Sequence, residues 1–348
     1  MNMHEIFMQR CLELSEKGLG NVAPNPLVGC VIVNDNKIIG EGYHQIFGEA
    51  HAEVNAINAV KDKNLLKNST LYVTLEPCSH FGKTPPCTEL IISMGIPRVV
   101  ISCIDPFPQV SGKGIKILKD AGIQVEIGIL KEKYEWINRR FFTFHKKHRP
   151  YIILKWAKTK DGFIDIDRTK DSPNITWITN ETCRTLVHKW RTEEQAILIG
   201  TKTAINDNPQ LNSRLWAGKN PLRIVFDKDL TLPKNLNIFN NESNTLVITE
   251  TINQPDTETI NYFASNFDDN LLQNILNELF NQNIQSLIVE GGLHTLNSFI
   301  NRGLWDEARI FTGDIKFGKG LPAPEINGTN LSKQIIGNSY LKTIIPSH

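Results

Sequence analysis

Three side chains constrain the fold of this chain more than any others. His51 stands two residues before Glu53, and Cys78, preceded by Pro77, is followed after eight residues by Cys87. One imidazole and two thiolates are tight ligands for a tetrahedral Zn²⁺ and leave its fourth position to water, the catalytic rather than the structural arrangement. The fold must therefore bring the start of a helix at His51 to both cysteines. On a regular helix, residues two apart point to different sides, so His51 and Glu53 can serve one site only if the metal lies beyond the helix end. Cys78 and Cys87 each sit where a helix can begin, a setting that favours thiolates. A closed, structural site would need a fourth protein ligand, for which His44 and His80 are the candidates. The placing of Glu53 argues for the open site, in which a metal-acidified water gives its proton to the carboxylate.

Around this signature the pattern alternates between strand and helix, which predicts an α/β fold. In the first half, Phe7, Cys11 and Leu14 mark a helical face. Segments 28–33 and 38–43 read as a strand pair turning at Asn34-Asp35-Asn36. A helix is expected over 51–60, a strand over 71–75, a helix from Cys87 to near Gly95, a strand over 99–104, a helix over 115–121 and a strand over 125–129. Segment 131–150 reads as a loose, charged and aromatic connection, with a boundary at Arg149-Pro150. The expected domains are therefore 1–146 and 150–348. The second half predicts strands at 151–156, 196–199, 222–227, 245–249 and 286–290, with helices at 181–192, 270–280 and 293–301. The Asn-, Thr- and Asp-rich stretch 240–269 is expected to hold surface loops.

Bulk properties exclude several classes. A chain of 348 residues exceeds what one core usually serves, and 40% hydrophobic residues suffice for ordinary globular cores. A net charge of +1 argues against a nucleic-acid binder, which needs a concentrated positive field. The densest basic run, His145-Lys146-Lys147-His148-Arg149, reads as a solvated linker. The six cysteines lack disulfide-framework spacing and suit a reducing compartment. No signal peptide or membrane-length apolar run is present. A cytoplasmic enzyme without nucleic-acid or membrane partners is expected, and a homo-oligomer is compatible with the sequence. The rival readings are a nucleic-acid base deaminase and a non-enzymatic, zinc-stabilised binding module. The first would need a basic groove with aromatic platforms, and the second leaves Glu53 without a purpose.

The layout His-x-Glu with Pro-Cys and a later Cys is that of zinc-dependent base deaminases. More of the first half is specific. Ala23-Pro24-Asn25-Pro26-Leu27-Val28-Gly29, Gly40-Glu41-Gly42-Tyr43-His44, Gly48-Glu49-Ala50-His51-Ala52-Glu53-Val54 and Glu76-Pro77-Cys78-Ser79-His80-Phe81-Gly82-Lys83-Thr84-Pro85-Pro86-Cys87 resemble the bacterial bifunctional riboflavin-biosynthesis deaminase/reductase family. In tRNA and cytidine deaminases the two cysteines are only two residues apart. The longer insert here supplies His80 and Lys83, groups able to meet a phosphate. The resemblance implies Glu53 as catalytic acid–base, His51, Cys78 and Cys87 as zinc ligands, and Asn25, His44, His80 and Lys83 as substrate contacts. Phe107, in Asp105-Pro106-Phe107-Pro108, stands where that family usually has Asn.

The second half has no Gly-x-Gly-x-x-Gly after a strand, so a Rossmann-type site is unsupported. Leu287-Ile288-Val289-Glu290-Gly291-Gly292 is a buried-strand pattern ending in glycines before a helix, a weak phosphate signal on its own. Leu154-Lys155-Trp156-Ala157-Lys158-Thr159-Lys160-Asp161-Gly162, Trp177-Ile178-Thr179, Gly200-Thr201-Lys202-Thr203 and Asp207-Asn208-Pro209-Gln210-Leu211 resemble the reductase half of the same family. The resemblance implies a cytidine-deaminase-like three-layer domain followed by a dihydrofolate-reductase-like domain. It implies two reactions on a small pyrimidine ribotide: zinc-dependent deamination, then NADPH-dependent reduction of ribosyl to ribityl. It places NADPH at Ala157, Trp177, Thr203, Asp207 and the segment Gly292, Leu293, His294, Thr295, Leu296, Asn297 and Ser298. It places substrate at Arg191, Leu211, Arg214 and Glu290, where the two arginines could clamp a phosphate. Lys158, Lys160 and Lys228 are alternative readers of a 2′-phosphate.

Overall fold

The computed structural model describes residues 2–79, 85–107, 111–168, 176–251 and 254–347. The chain forms two compact units, Met1–His148 and Arg149–His348.

The first unit contains α1 (Met3–Glu16), β1 (Gly29–Asn34), β2 (Lys37–Tyr43), α2 (Ala52–Ala59), β3 (Thr70–Leu75), α3 (Cys87–Ser93), β4 (Arg98–Cys103), α4 (Lys113–Asp120), β5 (Gln124–Ile127), α5 (Lys131–Ile137) and α6 (Arg139–Lys147). Its sheet runs β2-β1-β3-β4-β5, with β1 antiparallel to both neighbours and β3, β4 and β5 parallel. The β1–β2 turn works because Asp35 and Asn36 both adopt positive φ, which a tight hairpin requires and these residue types tolerate. Alternation along the strands builds three layers. Cys30, Ile32, Leu71, Val73, Val99 and Ile101 pack on one face with Ala56 and Ile57 of α2, Ile91 of α3 and Leu118 of α4. Val31, Val33, Tyr72 and Val100 pack on the other with Phe7, Met8, Cys11 and Leu14 of α1.

Segment 131–148 is not the loose connection expected. It forms α5 and α6, which bury Tyr134, Phe141, Phe142 and Phe144. The aromatic spacing is a helix face, and the dense charge masked it. The basic run is the last turn of α6, closed by His148 in the left-handed conformation. Arg149 is no solvated residue either: it is buried and forms a bidentate pair with Asp306.

The second unit contains β6 (Tyr151–Lys158), β7 (Phe163–Asp165), α7 (Glu181–Glu193), β8 (Ala196–Ile199), α8 (Thr201–Asp207), β9 (Leu222–Phe226), β10 (Thr245–Thr249), β11 (Ile260–Ala264), α9 (Leu271–Asn281), β12 (Ser286–Glu290), α10 (Leu293–Asn301), β13 (Glu307–Thr312), β14 (Leu321–Pro322), β15 (Thr329–Ile336) and β16 (Ser339–Ile345). The main sheet has the order β11-β10-β9-β8-β12-β6-β13-β16-β15. Strands β11 to β13 in that order are parallel, and β16 and β15 close the edge antiparallel. The stretch expected to hold only loops after β10 contains β11, whose half-exposed pattern carries little hydrophobic signal. After β6 the chain winds outward through β8, β9, β10 and β11, then returns to insert β12 between β8 and β6. Such a reversal opens a crevice over the carboxyl ends of the strands.

Candidate functional site

In the first unit, β3 runs out through Glu76 and Pro77 to Cys78, and Cys87 opens α3. His51 is the N-cap of α2, with extended backbone (φ −71°, ψ 164°). Because it lies outside the regular helix, it can share a site with Glu53, the second residue of the helix. Gly42 makes this possible: a Cβ there would come within 2.3 Å of the Ala56 nitrogen and 2.5 Å of the Ala52 oxygen. Only glycine lets α2 approach β2 so closely.

The His51 Nδ1 lies 3.5 Å from Cys78 Sγ and 3.4 Å from Cys87 Sγ, and the three donor atoms fall within 4.8 Å of one another. Tetrahedral bonds of about 2.3 Å to sulfur and about 2.0 Å to nitrogen separate S from N by about 3.5 Å. The donors thus stand at the spacing zinc needs. Contrary to expectation, Cys78 does not begin a helix. It lies in the loop after β3, and its sulfur accepts a hydrogen bond from the Cys87 N–H (3.3 Å). Hydrogen bonding from Cys87 and His51 lowers the Cys78 thiol, while the same contact with Cys78, together with burial, raises Cys87.

Glu53 is buried, and that burial, reinforced by the charge of Cys78, pushes its carboxyl up to about 7. A carboxyl poised there both takes and returns protons near neutrality. His44 is not a fourth ligand. Its Nδ1 faces the Ala50 carbonyl (3.1 Å) and its Nε2 faces Asn25 Nδ2 (3.1 Å), while its ring meets that of His51 edge-on. Asn25 and His44 therefore line up beside the donors as one group. His80 and Lys83 lie outside the described residues. Glu76, quoted above only as part of a motif, has a clear role. Its carboxylate accepts from the N–H groups of Gly112 (3.0 Å), Gly114 (2.9 Å), Ile115 (3.2 Å) and Asp105 (3.3 Å), fixing the loop after β4 against the cysteine loop. Phe107 is partly exposed at that loop, its ring 5.8 Å from that of His145.

The second unit holds a cavity of about 1570 Å³ at the carboxyl ends of β6, β12, β8 and β9. The parallel register sets Glu290 beside Lys155. Lys155 Nζ lies 2.5 Å from one Glu290 oxygen, and Arg191 donates to the other at 3.0 Å. Burial raises the Glu290 pKa, but the charges of Lys155 and Arg191 outweigh it and hold the carboxyl at about 2. Arg191 also donates to the Asn212 carbonyl (3.1 Å), so most of its guanidinium is committed to protein. Arg214 donates to Asn212 Oδ1 (2.9 Å) and is the freer of the two expected phosphate ligands. Leu211 lines the wall with φ +54°.

On the other expected set, Thr203 accepts from the Gly292 N–H (2.9 Å). A Cβ on Gly200 would lie 2.6 Å from Thr295 Oγ1, and one on Gly291 3.1 Å from Thr203 Oγ1. The glycines therefore let the starts of α8 and α10 pack closely through Thr203 and Thr295. The N-cap of α10 is Gly292, which makes no side-chain cap bond, and the start of such a helix attracts an anion. Ala157, Trp177, Asp207, Leu293, His294, Asn297 and Ser298 also line the cavity. Leu296 does not: it is fully buried in the core with Phe299 and Val289, because the helix turns that position towards the sheet. Asp207 pairs with Arg168 at 3.1 Å, and burial raises its pKa to about 6. Trp177 is half exposed and stacks under the Arg184 guanidinium at 4.4 Å.

Lys155 and His188 line the cavity although the sequence assigned neither a role. Lys155 earns its place only through the register with Glu290, which no local pattern reveals. His188 is buried in the wall, and burial plus the charges of Arg191 and Arg214 lower it to about 4. Its i,i+3 spacing to Arg191 was the available signal.

Comparison with known proteins agrees with both halves. Residues 1–103 match the cytidine and deoxycytidylate deaminase zinc-binding region, and residues 150–337 match the RibD C-terminal domain. The riboflavin biosynthesis protein RibD of Aquifex aeolicus is 39% identical over 338 residues, covering 94% of this chain and 92% of that protein. The RibD protein of Escherichia coli is 36% identical over 327 residues, covering 88% and 86%. A Thermotoga maritima crystal structure of a diaminohydroxyphosphoribosylaminopyrimidine deaminase/5-amino-6-(5-phosphoribosylamino)uracil reductase superposes with a TM-score of 0.90 at 37% identity, covering 99% of each chain. The fold class is the one expected, a cytidine-deaminase-like unit followed by a dihydrofolate-reductase-like one. On the family match to more than half of its length and on these relatives, the chain belongs to the RibD family of riboflavin biosynthesis proteins.

Proposed function

We propose that this chain is a bifunctional enzyme of riboflavin biosynthesis. The first unit removes ammonia hydrolytically from 2,5-diamino-6-ribosylamino-4(3H)-pyrimidinone 5′-phosphate. The second reduces the ribosyl group of the product to ribityl with NADPH. The observation that carries the reading is the pairing, in one chain, of a His51–Cys78–Cys87 donor set beside a buried carboxyl with a cavity holding the Lys155–Glu290–Arg191 group.

Zinc held by these three residues would supply the Lewis acid that makes water a nucleophile at neutral pH. Glu53 takes one proton from the attacking water and gives it to the ring nitrogen, then takes the second from the hydroxyl of the tetrahedral adduct and gives it to the departing amine, which leaves as ammonia. Its burial suits it to both directions of transfer. Asn25 and His44 hold the pyrimidine, and His80 and Lys83 are proposed to meet the ribotide. In the second unit, NADPH would supply the hydride. Gly292 to Thr295, Asn297 and Ser298, with Thr203 and Asp207, orient the cofactor. Arg214, Arg191 and Leu211 hold the ribosyl phosphate, and Lys155, 2.5 Å from Glu290, is the proposed proton donor. The proposed partner is a small molecule, and the proposed compartment is the cytoplasm, where two thiolates stay reduced. Among the described residues no helix is long and apolar enough to cross a membrane.

The test is to supply the pyrimidine ribotide with NADPH and identify products by mass. Exchange of one amino group for oxygen followed by gain of two hydrogens supports the reading. Recovery of unchanged ribotide from zinc-loaded protein refutes it.

A further inference from the structure

The side chain of Asn25 is oriented by bonds that lead away from the metal donors. His44 Nδ1 lies 3.1 Å from the Ala50 carbonyl, which can only accept, so that nitrogen carries a proton. Asn25 Nδ2, 3.1 Å from His44 Nε2, can only donate, so Nε2 accepts. One N–H of the Asn25 amide is thus spent on His44. Its Oδ1 has no partner among the described residues and is left for the pyrimidine.

The main chain beneath that amide is held in three ways. The Asn25 N–H closes a turn on the Val22 carbonyl (2.9 Å), and Pro26 has no N–H to give. From Val28 onward the sheet takes over: the Val28 carbonyl accepts from the His44 N–H (2.9 Å), and the Gly29 N–H donates to Thr74 Oγ1 (3.1 Å). Leu27, buried between turn and strand, gives both of its main-chain groups to a single side chain. Its N–H donates to Asn138 Oδ1 (2.7 Å), and its carbonyl accepts from Asn138 Nδ2 (3.0 Å), across 111 residues of sequence.

Asn138 is itself fixed. It is 2% exposed and stands at the corner between α5 and α6. Its N–H donates to the Tyr134 carbonyl (2.9 Å), and its carbonyl accepts from the Phe142 N–H (3.0 Å). Tyr134 and Phe142 meet edge-on, ring centroids 6.1 Å apart, in a cluster with Leu12, Leu75 and Cys103 on which Val28 rests. Leu75 ends β3, the strand that leads to Cys78. The corner that clamps Leu27 is therefore seated on the strand that delivers a metal ligand.

We propose that Asn138 is a positioning residue for deamination, whose carboxamide sets the Asn25 amide against the pyrimidine by clamping the main chain of Leu27. The assignment rests on the deaminase reading above. A carboxamide offers both the donor and the acceptor that one residue's main chain requires. Without it, two buried main-chain groups lose their partners, and the segment must shift to find others. Asn25 is two residues away, and such a shift carries its amide along. Among the described residues Asn138 has no bond to His51, Glu53, Cys78 or Cys87, so its effect reaches the reaction through Asn25.

The experiment measures ammonia release from the pyrimidine ribotide by the full-length, zinc-loaded chain. The proteins are the wild type, Asn138→Ala, Asn138→Asp, Asn25→Ala and the two double variants. Each Asn138 substitution is expected to lower kcat/KM by about 10- to 100-fold, the scale on which a displaced contact costs rate. Zinc content and reduction of pre-deaminated substrate by NADPH should stay at wild-type values. In the Asn25→Ala background the same substitutions are expected to cost less than about twofold, because the amide they displace is already gone. Asn138→Asp keeps the shape and the acceptor for the Leu27 N–H, and so tests the clamp with less loss of packing than alanine. Equal losses in both backgrounds, no loss in either, or loss of zinc in step with activity in both variants would overturn the assignment and leave the deaminase reading standing. Failure of the wild type to release ammonia would overturn both.

Discussion

Replacing Glu290 by Gln tests the electrostatic argument for the reductase cavity directly. The Glu290 carboxylate lies 2.5 Å from Lys155 Nζ and 3.0 Å from Arg191, with its side chain 18% exposed, so solvent screens it little. Its pKa falls from an ordinary 4.5 to about 2. A carboxyl depressed on folding stabilises the folded chain above its unfolded pKa and loses that contribution as pH drops towards the folded one. A fall of roughly 2.5 units corresponds to about 3 kcal/mol at neutral pH, of which about 2 kcal/mol has gone by pH 3. Glu290→Gln removes the titration and leaves Lys155 and Arg191 short of a counter-charge, so at pH 7 the variant is expected to be less stable by up to about 3 kcal/mol. Urea unfolding followed by tryptophan fluorescence reports on the right unit, since five of the six tryptophans lie after residue 149. The wild type should lose about 2 kcal/mol more than the variant between pH 6 and pH 3, all other titrating groups being common to both. Parallel stability profiles for the two proteins would refute the reasoning.

Three further outcomes follow from other parts of the structure. Glu53→Gln should slow ammonia release by about 10²- to 10⁴-fold and leave NADPH oxidation on pre-deaminated substrate unchanged, as stopped assays of each half-reaction would show; loss of both activities would sink the two-site reading. Stripping zinc with a chelator should abolish deamination and spare reduction, and added zinc should restore it, with metal content measured alongside. Arg223→Leu should destabilise the second unit by about 3 kcal/mol or more, because the fully buried guanidinium donates to the carbonyls of Asn237, Asn240 and Ser243; a urea midpoint within error of the wild type would contradict that role.

Much of the first site was legible because metal chemistry fixes both residue type and spacing. His51, Cys78 and Cys87 could be named without a fold, and the structure supplies only their convergence. The α/β alternation was legible for the same reason that β1, β3 and β4 form at all: short continuous apolar runs, buried on both faces, between helical segments leave few alternatives. What failed was local. In α5 and α6 the helical period was carried by Tyr134, Phe141 and Phe144 beneath a surface of Lys, Glu and Arg, and the charge outweighed the period. The strand β11 is half exposed, so its signal was weak. Lys155 and Glu290 are 135 residues apart in sequence, and nothing local in either segment announces that parallel pairing makes them neighbours.

Both sites obey one geometric rule, which explains this division. In the first unit β2 and β3 are each antiparallel to β1 and so run the same way. The loop after β2 leads to His51 and the loop after β3 to Cys78. In the second unit the functional groups stand at the ends of β6, β12, β8 and β9. Carboxyl ends of parallel strands are where chain turns into helix, where backbone N–H groups point outward and where glycines let a ligand approach. A sequence that marks its strand ends therefore marks where chemistry can occur. Which of those ends lie side by side is decided by sheet order, and the return of β12 between β8 and β6 is written in no segment by itself. That insertion brings Glu290 to Lys155 on one side and Gly291-Gly292 to Thr203 on the other. Register, more than motif, assembles the reductase site, whereas at the metal site the ligands themselves specify the assembly.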